Sequence, residues 1–92
     1  MRRKQGYSKI PGEVHFYAGY KGRQEPRQID MHGRVYAVTR ILSRERVEEG
    51  NSGRVREAYL CRIDHRIVEV QVQADGIVEI FGEGIGDRDE GA

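Results

Sequence analysis

The arginines in the middle of the chain are the residues whose type and spacing best support chemistry, and that chemistry is contact with an anion. If Ile41 and Cys61 face the core of a sheet, alternation along the two strands places five arginines on the opposite face. These are Arg40, Arg44, Arg46, Arg56 and Arg62. A positive face with an aromatic ring within reach, such as that of Tyr17, holds single-stranded nucleic acid by phosphate contact and base stacking.

The charge of the chain is distributed unevenly. A formal net charge of +1 combines fifteen Lys and Arg against eight Asp and Glu in residues 1–66 with one against seven in residues 67–92. Such asymmetry bears on partners rather than on fold. We predict that the partner is nucleic acid or a protein acting on it. Three basic residues near the N-terminus extend the candidate site: Arg2, Arg3 and Lys4.

Two other interpretations of the arginines remain open. The outward positions of a small sheet are normally charged, and arginine at a sheet edge prevents aggregation. Net charge near zero supports these interpretations, because it is atypical of a dedicated nucleic-acid binder. The alternative function is therefore a protein-interaction or self-associating module that uses an exposed strand edge, where added strands gain main-chain hydrogen bonds.

Groups that support catalysis or metal binding are sparse. The three serines lack the glycine-framed turn of an activated nucleophile: Ser8, Ser43 and Ser52. Cys61 and His65 lie four residues apart, but a zinc site needs four ligands, and His15 and His32 are isolated in the sequence. A single Cys on an apolar strand face usually fills a core. We therefore predict no enzyme activity, no metal ligand and no cofactor.

The elements that must position the arginines are strands, because polar and apolar residues alternate through most of the chain. Six segments are predicted: 13–20, 27–31, 34–47, 57–63, 68–73 and 77–81. The segment from Gly33 to Val47 is the longest and is the expected centre of the sheet. A helix over residues 41–49 is the competing interpretation, but the segment lacks an amphipathic stripe. A bulge near Thr39-Arg40 is expected, because Ile41 falls out of phase with Val38.

Two hairpin registers follow from the turns. His32-Gly33 predicts a two-residue turn that places Met31 opposite Arg34. A three-residue loop at 74–76 places Val72 opposite Val78, whereas a two-residue turn would bury Glu79.

These elements predict an all-β chain in which about six antiparallel strands form a meander. A sheet with one apolar face must curl to hide it, so we expect a small, partly open SH3-like barrel or a strongly curled sheet. Residues 1–12 are expected to form a mobile basic arm, residues 13–82 the single domain, and residues 83–92 a disordered acidic, Gly-rich tail. With one cysteine and no apolar run of about 18 residues, a cytoplasmic location is the expectation.

The run from Ile29 to Leu42, followed by the strand Ala58 to Ile63, resembles a family of short bacterial domains of unknown function. Members occur alone or at the end of DNA-repair polymerase-like proteins, and carry a Gly-Arg-x-Tyr-x-Val run that Gly33, Arg34 and Val38 match here, with Tyr36 between them. Met31 stands where that family commonly has tryptophan. The resemblance implies an all-β accessory module with a DNA-associated role, a DNA-repair protein as its partner and no assigned activity.

Overall fold

The alternating segments form strands throughout the part of the chain that the structure describes. The computed structural model describes residues 7–18 and 24–88, with residues 49, 52 and 83–88 described by their backbone alone. The strands are β1 (Tyr7–Ile10), β2 (Gly12–Ala18), β3 (Gln24–Met31), β4 (Arg34–Glu49), β5 (Arg54–Ile63), β6 (Arg66–Val72) and β7 (Val78–Arg88). The all-β prediction is confirmed, and β4 is a strand where a helix over residues 41–49 was the alternative.

The strands form one antiparallel sheet in the order β1-β7-β6-β5-β4-β3-β2. The first two strands lie at opposite edges of this sheet, yet Pro11 alone separates them in the sequence. The sheet must therefore curl until its edges approach each other, and the result is a half-barrel. The predicted strongly curled sheet is confirmed, with one strand more than the six expected.

Glycine at position 12 allows the edges to meet. A Cβ there would clash with the main-chain carbonyl oxygen of Asp30 and would lie 3.1 Å from both Ile80 Cδ1 and Met31 Cβ. Any larger side chain would therefore push the start of β2 away from β3 and β7.

Apolar side chains on the inner face of the curled sheet form the core. Ile29, Cys61, Ile63 and Val70 are completely buried there. Burying a side chain of this size contributes about 1.5–3 kcal/mol relative to leaving it exposed. The core therefore holds each strand in a register that keeps its apolar residues inside.

The first hairpin has the predicted two-residue turn. His32 and Gly33 both have positive φ, at 55° and 72°, as a type I′ turn requires. Met31 pairs with Arg34, so the predicted register is confirmed.

The last hairpin has the predicted three-residue loop. Gly76 has a φ of 93°, and its N–H donates to the Gln73 carbonyl at 2.9 Å, while Gln73 N–H donates to the Ile77 carbonyl at 2.8 Å. Val72 pairs with Val78 as expected. The register that keeps Glu79 off the inner face is the one adopted.

The structure corrects three predicted boundaries. The expected arm over residues 1–12 includes β1, whose Ile10 is buried, and the expected tail over 83–92 includes the end of β7. Residues 1–6 and 89–92 lie outside the described residues. β3 begins at Gln24 rather than at the predicted residue 27, so Pro26 lies in a strand. The β3–β4 ladder starts only at Gln28, so the missing N–H of Pro26 costs no hydrogen bond to β4.

The described residues contain no helix with the length and hydropathy needed to cross a bilayer.

Candidate nucleic-acid interface

Alternation along β5 separates its arginines from the core. Tyr59, Cys61 and Ile63 are 3%, 0% and 0% exposed, which confirms them as inner residues. Arg56 and Arg62 occupy outer positions, as predicted. Burial raises the pKa of the Cys61 thiol to about 12, so this side chain fills the core and is not a reactive thiolate.

Strand β4 contains two bulges, and only the first was predicted. The pairing with β5 shifts between Val38 and Arg40, and again between Ile41 and Ser43. The first shift places Arg40 on the outer face. The second, at Leu42, reverses the phase of everything that follows it.

The second bulge moves two of the five arginines to the inner face. Arg44 pairs with the buried Tyr59, and Arg46 pairs with Glu57, which lies on the same face. Residues directly opposite in a sheet share a face, so the prediction that Arg44 and Arg46 join Arg40 on the outer surface is wrong.

Arg44 takes part in a cluster at the end of the core. Its guanidinium lies 5.6 Å from the centre of the Tyr59 ring, and its Nη2 donates to Glu57 Oε2 at 3.4 Å. The Tyr59 hydroxyl donates to Glu57 Oε1 at 3.0 Å, and the Phe16 ring meets the Tyr59 ring edge-on at 6.3 Å. Burial, and then the Glu57 carboxylate, raise the pKa of Tyr59. The charge of Arg44 is therefore neutralised within the protein.

Arg40 and Arg62 have the opposite environment. They pair directly across β4 and β5, and both are exposed on the outer face. Neither belongs to an ion pair among the described residues. Arg56 lies on the same face, opposite Val47, and is partly buried. The outer surface therefore carries one directly paired couple of exposed arginines, with Arg56 farther along β5.

Tyr17 lies on an edge strand of the sheet, β2. It is 55% exposed, as predicted, but its neighbour Phe16 points inward to Tyr59 of β5. Tyr17 occupies an outer position opposite Glu25, and β3 and β4 lie between its strand and β5 in the sheet. The combination of this aromatic ring with the arginines stays a prediction. Arg2, Arg3 and Lys4 lie outside the described residues.

A polar cluster on β2 and β3 was missed from the sequence. His15 Nε2 lies 3.0 Å from Asp30 Oδ2 and 4.0 Å from Glu13 Oε1, so His15 is not isolated. Hydrogen bonds from His15 and then from Gln28 lower the pKa of Asp30. The sequence does contain a signal for this cluster. Polar residues alternate in Glu13-x-His15 and in Gln28-x-Asp30, on two segments that are predicted to be strands.

No family model, curated protein or solved structure matches this chain. The resemblance to the short bacterial domain family therefore stays a prediction.

Proposed function

We propose that the chain is a small non-enzymatic binding module whose outer face holds the phosphate backbone of a single-stranded nucleic acid through Arg40 and Arg62. The observation that carries this proposal is the direct opposition of two exposed arginines without an acidic partner. Like charges directly opposite in a sheet are destabilising, so this pair costs the free protein stability.

An anion between the two guanidinium groups removes that cost. Each guanidinium presents a planar set of donors that matches phosphate oxygens, and charge-assisted hydrogen bonds of this kind are among the stronger ones. Contacts of this kind supply affinity without sequence preference. The inner-face Arg44 is excluded from this role because Glu57 already holds it.

The test is binding of a fluorescently labelled, mixed-sequence single-stranded oligonucleotide, measured by anisotropy over a range of salt concentrations. Two phosphate contacts predict a slope of about −1.4 in log K against log salt. The double variant Arg40→Gln/Arg62→Gln should lose this binding. The matched control Arg44→Gln/Arg46→Gln removes the same charge from the inner face and should retain it. Equal loss in both double variants would refute the proposal.

A second candidate function is strand addition at the edge of β4. The β3–β4 ladder covers residues 34–37 only, so among the described strands β4 from Thr39 to Glu49 pairs with β5 alone. Its outer edge presents main-chain donors and acceptors, although the bulges at Thr39 and Leu42 limit the regular stretch to Ser43 onward. Binding of a partner peptide there should barely respond to salt and should slow amide hydrogen exchange in residues 43–49.

A further inference from the structure

Four polar side chains form a square on the outer face of β2 and β3. Glu13 pairs with Asp30, and His15 pairs with Gln28 in the next position along the same ladder. Because residues two apart on a strand share a face, all four project on the side away from the core. The cluster is on different strands from Arg40 and Arg62, and the proposed nucleic-acid interface does not use it.

Three of these side chains bring ligand atoms close enough to surround one ion. His15 Nε2 is 3.0 Å from Asp30 Oδ2 and 4.0 Å from Glu13 Oε1, and ligand atoms of all three lie within 4.8 Å of one another. Two ligands about 2.1 Å from a tetrahedral zinc ion are about 3.4 Å apart. Small rotations of exposed side chains are enough to reach that geometry. Among the side chains that the structure describes, this is the one group of three His, Cys, Asp or Glu residues that meets so closely.

The chemistry of the donors selects the class of ion. One imidazole nitrogen with two carboxylate oxygens suits zinc and other first-row divalent ions, whereas magnesium and calcium prefer oxygen ligands alone. Gln28 Nε2 donates to Asp30 Oδ1 at 3.1 Å, which orients the carboxylate and leaves Oδ2 directed at His15. Orienting contacts of this kind accompany metal ligands in general.

The exposure of the cluster leaves room for further ligands. The side chains of His15, Asp30 and Glu13 are 37%, 35% and 79% exposed, so one side of the group is open to solvent. Water molecules complete the coordination of an ion that has three protein ligands.

We propose that Glu13, His15 and Asp30 bind one divalent transition-metal ion of the zinc class on the outer face of β2 and β3. Binding replaces the hydrogen bond between His15 and Asp30, because His15 Nε2 gives its electron pair to the ion and can no longer carry a proton.

The test is calorimetric titration of the full chain with zinc chloride at neutral pH, without oligonucleotide. The wild type should bind one ion per chain. Glu13→Gln and His15→Ala should each weaken binding by at least about tenfold, which is the lower limit for loss of even an outer-shell partner. His65→Ala is the matched control, because His65 is exposed in the turn between β5 and β6, and it should leave the affinity unchanged.

The same titration followed by NMR gives a second readout, since the ring signals of His15 should shift with the first equivalent of zinc and those of His65 should not. Glu13→Gln changes only a highly exposed carboxylate and should keep the fold. Its zinc affinity therefore tests the proposal even if His15→Ala does not fold. Absence of saturable binding by the wild type, or wild-type affinity in Glu13→Gln, would overturn the proposal. Loss of binding in His65→Ala would do the same.

Discussion

Arg44 and Arg62 lie on neighbouring strands and have the same side chain, but the sheet gives them opposite environments. Arg44 lies on the inner face, over the Tyr59 ring and beside Glu57, with 34% of its side chain exposed. Arg62 lies on the outer face and is opposed by Arg40 rather than by an acid. The face on which an arginine lies therefore decides whether its charge is used within the protein or is available to a partner.

The largest expected effect is a difference in stability between variants at two consecutive residues of β5, Ile63 and Arg62. Ile63→Ala removes a fully buried side chain and should lower the free energy of unfolding by about 2–5 kcal/mol. Arg62→Ala should change it by no more than about 0.5 kcal/mol, because that side chain is exposed. Urea denaturation of both variants measures the difference. Similar losses in the two variants would mean that the faces of β5 are assigned incorrectly.

Alkaline pH should destabilise the folded protein through a residue of the inner face, Cys61. Burial raises the pKa of Cys61 from 9.0 to about 12, so the unfolded chain loses this proton first as pH rises. The free energy of unfolding should therefore fall between pH 9 and 12, by up to about 1.4 kcal/mol per pH unit from this thiol. Denaturation of wild type and Cys61→Ala across this range is the measurement. The variant should show a shallower fall, and parallel curves would contradict the burial of the thiol.

A smaller difference in stability is expected between variants of two arginines on β4, Arg44 and Arg40. Arg44→Ala removes the contact with Tyr59 and the ion pair with Glu57, and should cost about 1 kcal/mol. Arg40→Ala should raise stability slightly, by up to about 0.5 kcal/mol, because it relieves the opposition to Arg62. Thermal unfolding at low salt detects both changes. Stabilisation by Arg44→Ala would contradict its placement beside Glu57.

The smallest expected effect is a loss of stability at acidic pH that comes from Asp30 on the outer face. Hydrogen bonds from His15 and Gln28 hold the pKa of Asp30 below 3.8, so its contribution to stability is present above that value and is lost as pH falls through the lowered pKa. Asp30→Asn should flatten this acid limb. Identical acid limbs in wild type and variant, followed by circular dichroism, would show that the carboxylate contributes nothing there.

Local patterns in the sequence were sufficient for much of the fold. Strict alternation around Val70 and Val72 determined the last hairpin, because a shift of one residue would have put Glu79 into the core. The His32-Gly33 turn likewise set the first register, since both residues adopt positive φ. Each of these features depends on residues close together in the chain, where turn chemistry and burial act together.

The site depends on pairing that local patterns do not determine. Ile41 and Leu42 are both apolar, and nothing in the sequence shows that Leu42 is the one displaced into a second bulge. That single displacement turned Arg44 inward. The contact between Phe16 and Tyr59 is equally hidden from local patterns, because these residues are 43 positions apart and only the curl of the whole sheet brings them together.

The most direct test of the central comparison is an NMR titration of the arginine Nε–Hε signals with a short mixed-sequence single-stranded oligonucleotide. We expect the signals of Arg40 and Arg62 to shift together as the oligonucleotide is added, while that of Arg44 stays in place. Shifts of Arg44 as large as those of Arg62, or no shift of either outer arginine at saturating oligonucleotide, would contradict this expectation.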